Sequence, residues 1–179
     1  MELLDIVDIN GEPTGQVKER TKVHQDGDLH RTSHVWILRD NKRGGQDVLL
    51  QKRSKEKDSF PGCYDISSAG HITAGTGYVE SAIRELREEL GIEVKPEELE
   101  ERMIRHITNR NIFHGKEFVD NQITRVYRLR KDDLKIEELM LQKEEIEEVI
   151  WMDYEECLDA VENKTFNHCI SLEELESIR

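Results

Sequence analysis

Apolar and polar residues alternate from Leu3 to Ile9, the spacing of a half-buried strand, and Asn10-Gly11 then signals a hairpin into a partner at Thr14–Glu19. An N-terminal β-hairpin is therefore expected over about 1–20. Val35–Arg39 and Asp47–Lys52 read as two strands flanking a turn at Gly44-Gly45, with a polar stretch, Thr21–His34, before them. Phe60-Pro61-Gly62 marks a sharp turn, and Tyr64–Ala69 a short strand. From Gly77 the period changes: Val79, Ala82, Ile83, Leu86 and Leu90 form one stripe at helical spacing, and Gly91 ends it. Pro96 opens a Glu-rich helical turn, PEELEE. Met103–Thr108 and Gln122–Leu129 read as strands around a loop, NRNIFHGKEF, whose Phe113, His114 and Phe118 are candidates to line a pocket. A strand at Glu148–Met152 is followed by a helix capped by Asp153 and running through Val161, and Ser171 begins a last helix with Glu174 placed for a capping box. Strands mixed with a few helices, without repeats, predict one α/β or α+β domain over 1–179.

Charge narrows the function. A formal net charge of -13 argues against binding nucleic acid, whose phosphate backbone is held mainly by Lys and Arg. Small phosphorylated ligands stay open, because a metal can neutralise them locally. Cys63, Cys157 and Cys169 are odd in number and in no C-x-x-C pair, so neither a disulfide framework nor a zinc finger is indicated. The first residues are acidic and poor in apolar side chains, and no apolar run reaches membrane-spanning length. A cytoplasmic protein without membrane partners is expected.

Chemistry concentrates in Gly70–Ile92. Glu85, Glu88 and Glu89 stand at i, i+3 and i+4, on one arc of the helix beside its apolar stripe. Like charges at that spacing repel by a few tenths, ~0.2–0.5 kcal/mol per pair, which a divalent cation between them would reverse. The plainer reading is a solvated face with an Arg84–Glu88 pair. Gly70, Gly75 and Gly77 ahead of the helix favour a loop whose backbone comes close to something. Gln51, Lys52, Arg53, Lys55 and Lys57 form the one dense cationic stretch, suited to a distal phosphate or to balancing nearby acids. His24, His30 and His34 are either structural or ligands.

These residues resemble the Nudix box, G-x5-E-x7-R-E-U-x-E-E-x-G-U, in which U is aliphatic. Gly70, Arg84, Glu85, Leu86, Glu88, Glu89, Gly91 and Ile92 match without a gap, and Thr76 stands where the family has Glu. The resemblance implies a mixed β-sheet sandwiched between helices, a small-molecule diphosphate substrate, Mg²⁺ or Mn²⁺ held by Glu85 and Glu89 with Glu88 assisting, and often a homodimer. Arg84 would orient the glutamates, leaning on Thr76, Glu80 or Glu88. Lys52, Arg53, Gly70 and His71 would meet the substrate, and the general base stays open among Glu88, Glu144 and Glu145. The N-terminal run through His34, then LLQKRS and FPGCYDISSAGH, resembles the isopentenyl-diphosphate isomerase branch. In that branch three histidines matched by His24, His30 and His71 bind a metal with two later glutamates, matched here by Asp120 and Gln122. Its catalytic cysteine is matched by Ala69. The resemblance thus implies a hydrolase of a nucleoside diphosphate derivative on an isomerase-like scaffold, with isomerase chemistry and a weakly active nucleotide-binding module as the alternatives.

Overall fold

The computed structural model describes residues 2–57, 59–113 and 115–179, with Phe113 and Lys116 described by backbone alone. In chain order the elements are β1 (Leu3–Val7), β2 (Pro13–Glu19), α1 (Arg20–Asp26), β3 (His30–Asp40), β4 (Gln46–Arg53), β5 (Tyr64–Asp65), β6 (Ser68–His71), α2 (Tyr78–Leu90), β7 (Leu99–Phe113), β8 (Lys116–Arg130), β9 (Ile146–Asp153), α3 (Tyr154–Glu162) and α4 (Leu172–Ser177). β1 and β2 form a separate hairpin. The other seven strands form one sheet with spine β5-β4-β3-β8-β7, in which β6 also pairs with β3 and β9 with β4. β3 and β8 run parallel, from His30 opposite Gln122 to Leu38 opposite Arg130, and the remaining pairs are antiparallel. The sheet is therefore mixed.

Period-two alternation along β3 divides its side chains between two cores. Val35 and Ile37 pack with Leu49 under Ala82, Leu86 and Leu90 of α2. Trp36 and Leu38 pack with Val48 and Leu50 under Tyr154 and Cys157 of α3 and Leu175 of α4. Helices thus cover both faces, and each fully buried leucine contributes about 1.5–3 kcal/mol. Gly91 closes α2 in the left-handed region at φ 71°, and the Asp153 carboxylate accepts from the amides of Glu155 and Glu156, as the sequence predicts for both. Among the described residues no helix is long and apolar enough to cross a membrane.

Four expectations are corrected. The strand expected from Val35 begins earlier: α1 takes the first part of the polar stretch Thr21–His34, and β3 starts at His30 because parallel pairing with β8 extends it. Thr32 and His34 face a cavity there and His30 is buried against His24 and His71, so no apolar alternation announces the strand. Of the stretch NRNIFHGKEF, expected as a loop, the described residues other than Gly115 belong to strands, with β7 and β8 paired as far as Phe113 opposite Lys116. Most described residues of that hairpin end are exposed, Ile112 among them, and its polar residues are what suggested a loop. Of its pocket candidates, His114 and the Phe113 side chain lie outside the described residues. The strand expected at Tyr64–Ala69 is interrupted, with Ser67 Oγ accepting from the Ile37 amide and donating to the Leu49 carbonyl in place of a ladder bond. Finally, Glu174 makes no capping box: α4 starts at Ser171 without a side-chain cap, and the Glu174 carboxylate turns inward.

Candidate active site

β6 is the strip on which the site is assembled. Opposite Val35 and Ser33, Ser68 and Gly70 face α2; opposite His34 and Thr32, Ala69 and His71 face the other way. Ser68 Oγ donates to Glu89 Oε2 at 2.6 Å. Gly70 matters for its missing side chain: a Cβ there would stand 2.3 Å from Glu85 Cγ. The strand and helix are thus fitted so closely that Glu85 lies against the backbone of β6 at Gly70 while Glu89 is bonded to the Ser68 side chain.

The connection from β6 to α2 is tied at several points. Asp5 of β1 accepts from Arg31 at 2.9 Å and from the Gly75 amide at 2.9 Å, while Arg31 also donates to the Thr76 carbonyl. Thr76, the departure from the box, bonds the Thr73 carbonyl at 2.7 Å and the Ser81 hydroxyl at 2.9 Å. Arg84 leans on neither Thr76 nor Glu80. Its guanidinium donates to Thr73 Oγ1 and Glu85 Oε1, both at 2.7 Å, and to the His71 carbonyl, with Glu88 at 3.9 Å. Thr76 lies within reach of Thr73 and Ser81, so a hydroxyl suffices to brace the loop.

Beside these residues opens a cavity of about 860 Å³. Gly70, His71, Arg84, Glu85, Glu88 and Glu89 all line it. Glu89 is 5% exposed, and burial pushes its carboxyl up to about 8; burial raises Glu85 as well. Two hard carboxylates held in a part-buried wall at such cost fit a divalent cation, which would restore the charged forms. Glu88 is more exposed and completes the arc. Arg53 lines the cavity with its guanidinium fixed by Ser59 and Asp65. Lys52 does not: it lies alongside Glu147 and Glu148 at 3.2 and 3.5 Å, because successive side chains of β4 point to opposite faces. Lys57, paired with Glu145, joins the wall in its place, whereas Glu144 is exposed and outside it.

Across β6, His24 of α1, His30 of β3 and His71 offer ligand atoms within 4.8 Å of one another. His34, grouped with the first two by sequence proximity, is elsewhere. The Nδ1 atoms of His24 and His30 lie 2.8 and 2.9 Å from the carbonyls of Arg20 and Asp28, which assigns the proton to Nδ1 and leaves Nε2 free. All three Nε2 atoms are buried without a hydrogen-bond partner. Burial pushes His30 down to about 4 and His71 well below its ordinary value, so these rings are neutral, as metal ligands must be. The Asp120 carboxylate stands 3.3 Å from His24 Nε2, Phe118 stacks on the His24 ring, and Gln122 bonds Asp120 and Thr32. Three imidazoles, two of them buried and oriented by backbone carbonyls, with a carboxylate at hand, fit a second cation position.

One cluster was not legible in the sequence. Glu174, 2% exposed, accepts from His34 Nδ1 at 2.8 Å, Trp36 Nε1 at 2.9 Å and Arg105 at 2.7 Å. Burial alone would raise its carboxyl, but His34, Trp36 and Arg105 outweigh that and hold it down to about 2.

The NUDIX domain family model matches residues 28–169. Nudix hydrolase 3 of Arabidopsis thaliana is 42% identical over 156 residues, which are 87% of this chain and 20% of the plant protein. The chain thus spans about a fifth of that relative. An uncharacterized Nudix hydrolase of Clostridium acetobutylicum is 36% identical over 165 residues, 91% of this chain and 75% of that one. A crystal structure from Deinococcus radiodurans shares the fold with a TM-score of 0.71 at 23% identity, covering 99% of both chains.

Proposed function

This chain belongs to the Nudix family, and from that membership we propose that it is a divalent-metal-dependent hydrolase cleaving the diphosphate linkage of a nucleoside diphosphate derivative. The observation that carries the reading is the fit of Gly70 against Glu85 beside the buried Glu89, both carboxylates on one cavity wall. Glu85 and Glu89 would hold Mg²⁺ or Mn²⁺, with Glu88 assisting. Bound there, the cation supplies charge neutralisation for the diphosphate and an activated water. Arg84 positions Glu85 through its 2.7 Å hydrogen bond, and Arg53 and Lys57 bring cationic groups to the same cavity for the phosphates. Proton removal from the water falls to Glu88 or Glu145, the two base candidates on the wall.

Isomerisation of a double bond needs one group to add a proton and another to remove one. Ala69 and Gln122 do neither, which favours hydrolysis. The orphaned Nε2 atoms of His24, His30 and His71 support a second cation held across β6 from the first. The test is incubation of the purified chain with Mg²⁺ or Mn²⁺ and a panel of nucleoside diphosphate derivatives plus isopentenyl diphosphate, read by mass spectrometry. Cleavage of a diphosphate linkage that Glu89→Gln abolishes is expected. Isomerisation without cleavage, or tight binding without any product, would overturn the reading.

A further inference from the structure

His34 lies on the cavity wall, outside both metal-binding groups, in a setting that orients it toward whatever the cavity holds. It stands opposite Ala69 across the β3–β6 pair, between the levels of Ser68 and Gly70, which touch Glu89 and Glu85. Side chains directly opposite in an antiparallel pair have Cβ atoms about 4.5–5.5 Å apart. The ring is fixed from behind: Nδ1 is 2.8 Å from Glu174 Oε1, which also takes Trp36, while Oε2 takes Arg105. Trp36 and Arg105 hold the Glu174 carboxylate in place as well, so the ring rests on an anchored partner. With Nδ1 engaged there, the ring has Nε2 left for the cavity it lines. Glu174 from α4, Asp65 from β5 and Arg105 from β7 act on the ring, and the two carboxylates outweigh burial and Arg105 to favour its charged form.

We propose that His34 is a substrate-binding residue, held by Glu174 so that its Nε2–H donates to a phosphate oxygen of a diphosphate ligand. The identity of that ligand rests on the hydrolase reading. Glu174 acts through His34 and is a positioning residue.

The experiment uses the full chain, Mg²⁺ and α,β-methylene-ADP as a non-cleavable probe. In ¹⁵N-histidine spectra, with His34 assigned by the signal missing from His34→Ala, the probe is expected to move the Nε2 resonance and leave Nδ1 nearly in place. His34→Ala should weaken probe binding at least tenfold with little change in Tm, and free imidazole should restore part of the loss. An unmoved Nε2 resonance, or binding within twofold of wild type in His34→Ala, would overturn the proposal; should His34→Ala misfold, His34→Gln supplies both the assignment and the binding comparison. The two readings fail separately. A protein that engages the probe through His34 but cleaves no diphosphate refutes the hydrolase alone, and one that cleaves while Nε2 stays put refutes His34 alone.

Discussion

Replacing Gly70 by alanine tests whether the placement of Glu85 sets the rate. The added Cβ would lie 2.3 Å from Glu85 Cγ, 2.4 Å from Cδ and 2.7 Å from Oε1. Carbon atoms rest about 3.5–4.0 Å apart, so the carboxylate must retreat by roughly 1 Å or more. A displacement of that size in a catalytic group costs on the order of 10²-fold in rate. The backbone does not oppose the change, because Gly70 is absent from the positive-φ glycines, and the clash is with a side chain that can rotate. Stability should fall by about 1–3 kcal/mol, the usual range for overpacking. Gly44→Ala is the matched control: in the β3–β4 turn at φ 81°, with nothing within 4 Å of its Cβ, it suffers only the left-handed penalty of about 1–2 kcal/mol. Each variant would be assayed for Mg²⁺-dependent cleavage and for Tm, where 1 kcal/mol corresponds to about 2–4 °C in a chain of this size. The expected outcome is two proteins of similar stability, one about a hundredfold slower and one unchanged. Equal kcat/KM in the two would refute the reasoning.

Three further outcomes follow from the same geometry. Glu89 ionises near 8 in the fold and near 4.5 unfolded, so the metal-free protein loses stability as pH rises between those values. At 1.36 kcal/mol per pH unit the loss has a ceiling of about 5 kcal/mol; Glu89→Gln should therefore melt above wild type at pH 8.5 and near it at pH 5, and Mg²⁺ should narrow the gap. A variant that melts no higher at pH 8.5 would contradict this. Asp153→Ala removes the acceptor of two first-turn amides of α3 and should cost about 1 kcal/mol in denaturant unfolding, with activity retained. His24→Ala should lower by one the number of Mn²⁺ ions bound per chain in equilibrium dialysis, while Glu85 and Glu89 keep theirs; unchanged stoichiometry would remove the second cation position.

What the sequence disclosed depended on whether burial and chemistry shared a period. In α2 they do: the stripe of Ala82, Leu86 and Leu90 and the arc of Glu85 and Glu89 both follow helical spacing, so helix and carboxylates were legible together. In β3 they conflict, since His30, Thr32 and His34 occupy positions where an apolar residue would have declared the strand. His71 was matched to the histidine trio by resemblance, but contact among the three histidines depends on β6 crossing β3, which no local pattern encodes. Lys52 read as a substrate cation because its neighbours are basic, yet strand alternation turns it toward Glu147 and Glu148. Glu174 was hidden by a sound local alternative: three residues after a serine, a glutamate usually caps a helix. Only tertiary packing brings it to Trp36 and Arg105.

Because β6 is four residues long and exposes alternate positions to two different environments, the two sides of this cavity are separately editable. A change at Ala69 alters the surroundings of His34 and leaves Ser68 and Gly70 in register with the carboxylates. Insertion or deletion of one residue would instead exchange the two sets, setting a side chain against Glu85 and turning His71 from its partners. On such a strip what surrounds His34 can vary by substitution, whereas a change of length within β6 disturbs both walls at once.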